Sequence, residues 1–169
     1  KPILSFAFSS YLRKISFLVA RAAENRGAVW RIPMTPAEIL NFLNDHPACH
    51  LATLENGRPR VRGMLMYRAD ERGLTFHTGT GKALGRQAQN GAAAEACFNS
   101  PETQIRVAGT VQVVDDLELK KEIGAARPFM QPWVAEHGYG LLHVFRLTDC
   151  EATVWTMADN FRPTTYQKI

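Results

Sequence analysis

FHTGTGKAL, residues 76–84, is the stretch from which the rest of the chain can be read. Phe76-His77-Thr78 closes a strand, glycines 79 and 81 flank Thr80, and Lys82 opens a short helix expected to run to about Asn90. Glycines let a backbone approach a ligand closely, and a helix start offers unpaired N–H groups and the positive end of a dipole. Lys82 adds a full charge there, Arg86 follows one turn later on the same face, and Thr78 and Thr80 carry hydroxyls. An anionic tail suits this arrangement; so does an ordinary strand-to-helix turn with a solvated lysine. A Walker A loop is excluded, because Phe76 stands where its first glycine belongs and Ala83 where it needs Ser or Thr.

Upstream, PRVRGMLMY (59–67) alternates as a strand, with Arg60, Arg62, Met64 and Met66 on one face and Val61, Leu65 and Tyr67 on the other. If Val61 and Leu65 point into the core, the outer face carries two arginines followed by two methionines. Such a surface suits a flat ligand with a charged tail, a subunit interface, or methionines covered by a helix. Before it, Thr35-Pro36-Ala37-Glu38 is a capping box that opens a helix ending near His46-Pro47. CHLATLE is a strand, and Asn56-Gly57 is the hairpin turn joining it to PRVRGMLMY. Asp70 to Gly73 turns into LTFHT.

Downstream, AEACF and QIRVAGTVQVV are strands, the second with Ile105, Val107, Val111 and Val113 on one face. LELKKEIGAA and PFMQPWVAEHG are helices, the first topped by Asp115-Asp116 and the second opening near Pro132, with Phe129 and Trp133 expected to anchor it. LLHVFRL and EATVWTM close the chain as two strands. Successive hairpins with few crossovers mean antiparallel pairing and a small barrel.

The whole chain carries a formal charge of +4, but residues 1–33 hold six of its 20 basic residues and one of its 16 acidic ones, which leaves the remainder at −1. No basic field therefore advertises a nucleic-acid partner. Residues 1–33 read as a basic amphipathic extension to a domain over 34–169. That extension fits a packing helix, a non-native addition, a targeting peptide or a membrane-surface helix, and charge interrupts it too often to span a bilayer. Cys49, Cys97 and Cys150 lack CxxC spacing, so neither a zinc site nor a disulfide framework is indicated, and a reducing, cytoplasmic setting is expected. No HExxH pattern or Ser-His-Asp order is present, and no metal ligand set is expected.

The succession RGMLMY, a charged turn, FHTGTGK, QIRVAG and the tryptophan of ATVWTM resembles the pyridoxamine 5′-phosphate oxidase-like, FMN-binding split-barrel family, over about Met34 to Met157. The likeness is to the short bacterial oxidase-related branch. It implies a mostly β, six-stranded antiparallel split barrel with flanking helices, paired as a homodimer with FMN in the groove between barrels. By the same likeness Arg62, Gly63, Met64, Leu65 and Met66 would line the flavin, His77 and Thr78 would sit by the ribityl chain or phosphate, and Lys82 would pair with the phosphate. Gln104 would approach the ring and Trp155 would reach it from the closing strand.

Two departures separate this chain from the oxidase proper. Thr80-Gly81 leads to Lys82 where the oxidase has a Ser-Arg pair, leaving Arg86 or Arg62 as replacement cations, and NFRPTTYQKI lacks the oxidase's Arg-and-His substrate segment. The implied activity is thus an FMN-dependent oxidoreductase acting between reduced nicotinamide, or a small redox protein, and an acceptor, rather than vitamin B6 oxidation. The rival readings are a non-catalytic flavin or haem carrier, with His50, His77, His137 and His143 as candidate axial ligands, and a reductase using the deazaflavin F420.

Overall fold

A computed structural model describes residues 34–169; the extension over 1–33 lies outside the described residues. Helix α1 (Pro36–Asp45) starts at the expected box. Thr35 Oγ1 accepts from the Glu38 N–H, and the Glu38 carboxylate accepts from the Thr35 N–H at 2.7 Å. Ile39 and Leu43, one turn apart, are its buried residues. Strand β1 (Ala48–Glu55) turns through Asn56 and Gly57, both at positive φ, into β2 (Arg58–Leu65). Then come β3 (Arg68–Asp70), β4 (Gly73–Gly79), the five-residue α2 (Ala83–Gln87), β5 (Ala93–Asn99) and β6 (Thr103–Val113). Helix α3 (Leu117–Ala126), a 3-10 turn at Pro128–Met130, α4 (Gln131–His137), β7 (Leu142–Thr156) and β8 (Gln167–Lys168) complete the chain.

The strands form one antiparallel sheet ordered β2-β1-β5-β6-β7-β4-β3, with β8 added against β7. Its two edge strands, β2 and β3, are separated in sequence only by Met66 and Tyr67, so the sheet has to curl until its edges approach. That closure makes the split barrel and removes most of the free edge. Inside it lie Ile39, Leu43, Leu51, Met66, Phe76, Phe98, Ile105, Phe145 and Leu147. A second cluster, with Leu119, Ile123, Met130, Leu142 and Val144, packs α3 against the other side of β7.

Three expectations are corrected. The sheet has eight strands rather than six, because β3 and β8 are short additions. The two closing strands are one 15-residue β7. Asp149 takes a positive φ within it, opposite a register shift between Ala108 and Thr110, so a bulge bends the strand without ending it. Phe129 and Trp133 do not anchor a helix: they are 61% and 52% exposed and meet each other edge-on, ring centroids 6.2 Å apart.

Asn44 at the end of α1 ties the helix to the returning edge. Its amide donates to the Ala69 carbonyl and accepts from the Ala69 N–H, both at 2.9 Å. Ala69 is buried, so Asn44→Ala strands two backbone groups and is expected to cost about 2 kcal/mol, read as a fall in the urea midpoint with unchanged m-value. Asn44→Asp, which keeps the acceptor alone, should fall between the two.

Candidate functional site

The loop after β4 is a tight piece of backbone. The Thr80 N–H donates to the Leu141 carbonyl at 2.9 Å, and the Lys82 N–H donates to the Gly79 carbonyl at 3.0 Å. Lys82 is the N-cap of α2, and no side chain caps the helix start. Gly85 lets α2 lie directly on the loop, since a Cβ there would stand 2.9 Å from the carbonyl oxygens of both Gly79 and Thr80. The Lys82 stem runs along Gly79, and Arg86 Nη1 donates to the Gly81 carbonyl at 3.2 Å. Gly81 itself faces open space.

Arg62 approaches the same region from β2. Its Nη1 donates to Thr53 Oγ1 and its Nη2 to Gln87 Oε1, each at 2.7 Å. The Thr53 hydroxyl donates to that same Gln87 oxygen at 2.7 Å, and Gln87 Nε2 donates to Glu55 Oε1 at 3.1 Å. The other Glu55 oxygen takes the Nε of Arg60 at 2.9 Å. Burial lowers Arg62 somewhat from the ordinary arginine value, against the pull of Glu55. Among the described residues Arg58, Arg62, Lys82, Arg86, Arg127 and Arg146 form no ion pair, whereas Arg60, Arg68, Arg72, Arg106, Lys120, Lys121, Arg162 and Lys168 all do. Two of these, Lys82 and Arg86, flank the start of α2, and cations without acidic partners beside a helix start are the donor set an anionic tail requires.

His77 and Thr78 alternate on β4. Thr78 is buried and pairs with His143, whose Nε2 meets the Ala88 carbonyl at 2.7 Å. His77 pairs with Val144 on the other face, where burial, then Arg127 and Lys82, push it down to about 4. Arg127 donates from Nη2 to the Met66 carbonyl at 3.2 Å, while its buried Nε has no partner. Sequence reasoning missed both Arg127 and Gln87. Arg127 follows α3 far along the chain, and Gln87 has the character of any surface residue on a short helix.

The orientation of β2 is the reverse of the conditional expectation. Arg62 and Met64 sit opposite Leu51 and Cys49 on the core side, and Met66 is buried. Val61 and Leu65 face outward, 65% and 42% exposed. The register decides this: β1 carries Cys49, Leu51 and Thr53 inward, and each side chain of β2 must share the face of its cross-strand partner. Gly63, opposite His50, is on the outward face with nothing near it.

Gln104 and Trp155 form a separate group. They are cross-strand partners on β6 and β7, and Gln104 Nε2 donates to Asn99 Oδ1 at 3.0 Å. Arg62, Leu51, Ala96 and Val107 make one cross-strand row. That puts β6 about 14 Å from β2 at roughly 4.8 Å per strand. Gln104 lies further along β6 and on the opposite sheet face. One chain thus carries three groups: Arg62 with Thr53 and Gln87, Lys82 within electrostatic reach of His77 and Arg127, and the outward pair Gln104 and Trp155.

The candidate haem ligands are dispersed. His50 is outward on β1, His137 is exposed at the end of α4, and His77 and His143 occupy opposite faces of the β4–β7 pair.

Comparison with known proteins fits this architecture. A family model described as Pyridoxamine 5'-phosphate oxidase matches residues 35–154. Over 94 residues the chain is 37% identical to the Pyridoxine/pyridoxamine 5'-phosphate oxidase of Agrobacterium fabrum (strain C58), covering 54% of this chain and 44% of that protein. The match therefore spans less than half the length of that curated relative. Among solved structures, a NimC/NimA family protein of Clostridium acetobutylicum superposes with a TM-score of 0.63 at 24% identity, over 79% of this chain and 92% of that one. A pyridoxamine 5'-phosphate oxidase-related, FMN binding protein of Nostoc punctiforme gives a TM-score of 0.57 at 20% identity, over 81% and 98%. At these identities the two structures speak to the fold, the FMN-binding split barrel. The family match, which runs from the α1 cap to the end of β7, places the chain in the pyridoxamine 5'-phosphate oxidase family.

Proposed function

We propose that this chain binds FMN in a groove completed by a second copy of itself and serves there as an oxidoreductase between reduced nicotinamide, or a small redox protein, and a small acceptor. The observation that carries the reading is the pair of cations without acidic partners, Lys82 and Arg86, at a glycine loop that opens a helix, with Arg62 bonded to the last residue of that helix, Gln87. An FMN phosphate is an anion whose charge these groups would balance. When bound, the isoalloxazine ring supplies the hydride or electron acceptor, which agrees with the lack of a nucleophile-and-base signature in the chain.

The protein's own residues bind, orient and shield. Lys82 and Arg86 hold the phosphate, with the backbone N–H groups at the start of α2 beside them. Arg62 approaches from β2 on a guanidinium fixed by Thr53 and Gln87. Met64 and Met66 make the apolar floor behind it and exclude water. His77 is neutral in working conditions, and it gives the site a dipole without adding charge. Gln104 and Trp155 contact the ring of the flavin held by the other copy, because in their own chain they stand on the opposite sheet face. The outward face bearing Leu54, Val61 and Leu65 would be the surface the second copy covers.

Purified protein titrated with FMN, followed by gel filtration and an absorption spectrum, tests the reading; protein that stays colourless counts against it. F420, with its longer acidic tail, is the comparison arm. Lys82→Ala is expected to weaken FMN about tenfold, the loss of one charge-assisted contact, measured as the change in Kd from flavin fluorescence quenching. Bleaching of bound flavin by NADH or NADPH would identify the donor, and sedimentation equilibrium reads the dimer.

A further inference from the structure

The amide of Gln87 occupies an unusual position between a cation and an anion. Its oxygen receives Arg62 Nη2 and the Thr53 hydroxyl, and its nitrogen donates to Glu55. Both ends of the amide are therefore assigned by their partners. Thr53 is buried and Gln87 is half-buried between β1 and the loop, so the Arg62 end of the network is partly shielded, while Glu55 and Arg60 remain in contact with solvent. Glu55 lies within electrostatic reach of Arg62, yet it forms its ion pair with Arg60. An amide holds Arg62 in place as a carboxylate would, but without cancelling its charge. Only two of the contacts above use Arg62 donors, so its remaining N–H groups stay available to a ligand.

We infer that Gln87 is a positioning and specificity-determining residue: it pins Arg62 while keeping the Glu55 carboxylate off it, so that the site favours the phosphorylated form of its ligand over the unphosphorylated one. Selection of this kind needs no contact between Gln87 and the ligand. It follows from charge kept uncompensated at a fixed position, which pre-organises the anion site. The flavin part of this inference rests on the function proposed above; the hold of Gln87 on Arg62 does not.

The test compares FMN with riboflavin in the wild-type protein, Gln87→Glu and Gln87→Met. Gln87→Glu neutralises Arg62 in place and is expected to weaken FMN tenfold or more while riboflavin stays within about twofold. Gln87→Met frees Arg62 to turn toward Glu55 and should lose part of the same FMN preference. An unchanged FMN-to-riboflavin ratio in Gln87→Glu overturns the inference, and so does an equal loss for both flavins, which would mark Gln87 as a packing residue only. A further arm needs no flavin: the melting temperatures of Gln87→Met, Arg62→Met and the double variant form a cycle. Shifts that fail to add support the pinning, and simple additivity refutes it. Wild-type protein that takes up neither flavin rejects the cofactor reading, while the cycle still decides whether Gln87 holds Arg62.

Discussion

Alanine at position 73 is expected to destabilise the domain by about 4 kcal/mol, an effect at the extreme of what a single small substitution produces. Gly73 ends the β3–β4 turn at φ +109°, a conformation that side-chain-bearing residues rarely adopt. The space is closed as well: a Cβ would stand 2.0 Å from the Leu147 carbonyl oxygen and 3.0 Å from its carbon. Those atoms belong to β7 where Leu74 pairs with Leu147, so they cannot yield without opening the β4–β7 ladder. Gly57→Ala is the control. Its φ is +73° but nothing lies near its Cβ, so it should cost only about 1 kcal/mol of backbone strain. Urea unfolding of both variants separates the two contributions, and equal midpoint shifts would mean that β7 relaxes and the close approach is harmless.

Gly73 also marks how far the sequence can be read. Asp70 to Gly73 announces a turn by composition, and the turn is there; that Gly73 lies under another strand depends on Leu147, which is far away in the chain. The same division holds elsewhere. The Thr35–Glu38 box and the Asn56-Gly57 turn are local devices, and each stands where its residues put it. The faces of β2 were legible as a period but not as a direction, because both carry apolar side chains and only the pairing with Leu51 and Cys49 chooses between them. Asp149 reads as a turn former, yet as a single bulged residue it bends β7 instead of breaking it.

At the site, Lys82 was visible because glycines and a helix start surround it within a few residues. The Arg62–Thr53–Gln87 network was not, since its hydrogen bonds join residues 9, 25 and 34 positions apart. Arg127 comes to His77 only because α3 packs against the outer side of β7.

His77 carries the other large effect, and its sign follows from which form the fold prefers. Burial disfavours the imidazolium first, and the charges of Arg127 and Lys82 disfavour it further, which brings the group from 6.5 down to about 4. The unfolded chain therefore binds a proton that the folded one refuses throughout the interval between those values. Stability is complete above pH 6.5, falls as the pH drops through that window, and has lost its full share below about 4. The limit is about 3 kcal/mol, from roughly 1.4 kcal/mol per unit.

Four carboxylates, Glu38, Glu55, Asp70 and Asp115, are held below their ordinary values by hydrogen bonds, in Asp70 against burial, and also lose stability in acid, but only as the pH passes below about 4.5. The range from 6.5 to 5 thus isolates the imidazole. In that range urea midpoints of the wild-type protein should decline with acid, and those of His77→Gln should stay level. A parallel decline in both proteins would assign the effect to another group.

The same residue can report on the neighbouring cations. Lys82→Met removes one charge that depresses the imidazole, so its NMR titration midpoint should move up while burial keeps it below 6.5. An anion bound at the loop offsets Lys82 in the same direction. Proton uptake at His77 and anion binding at Lys82 are then linked, each favouring the other, and sulfate, whose charge is constant over this range, should tighten modestly as the pH falls through 5 toward 4. In Lys82→Met that pH dependence should shrink together with the affinity, because the charge that couples the two events has been removed.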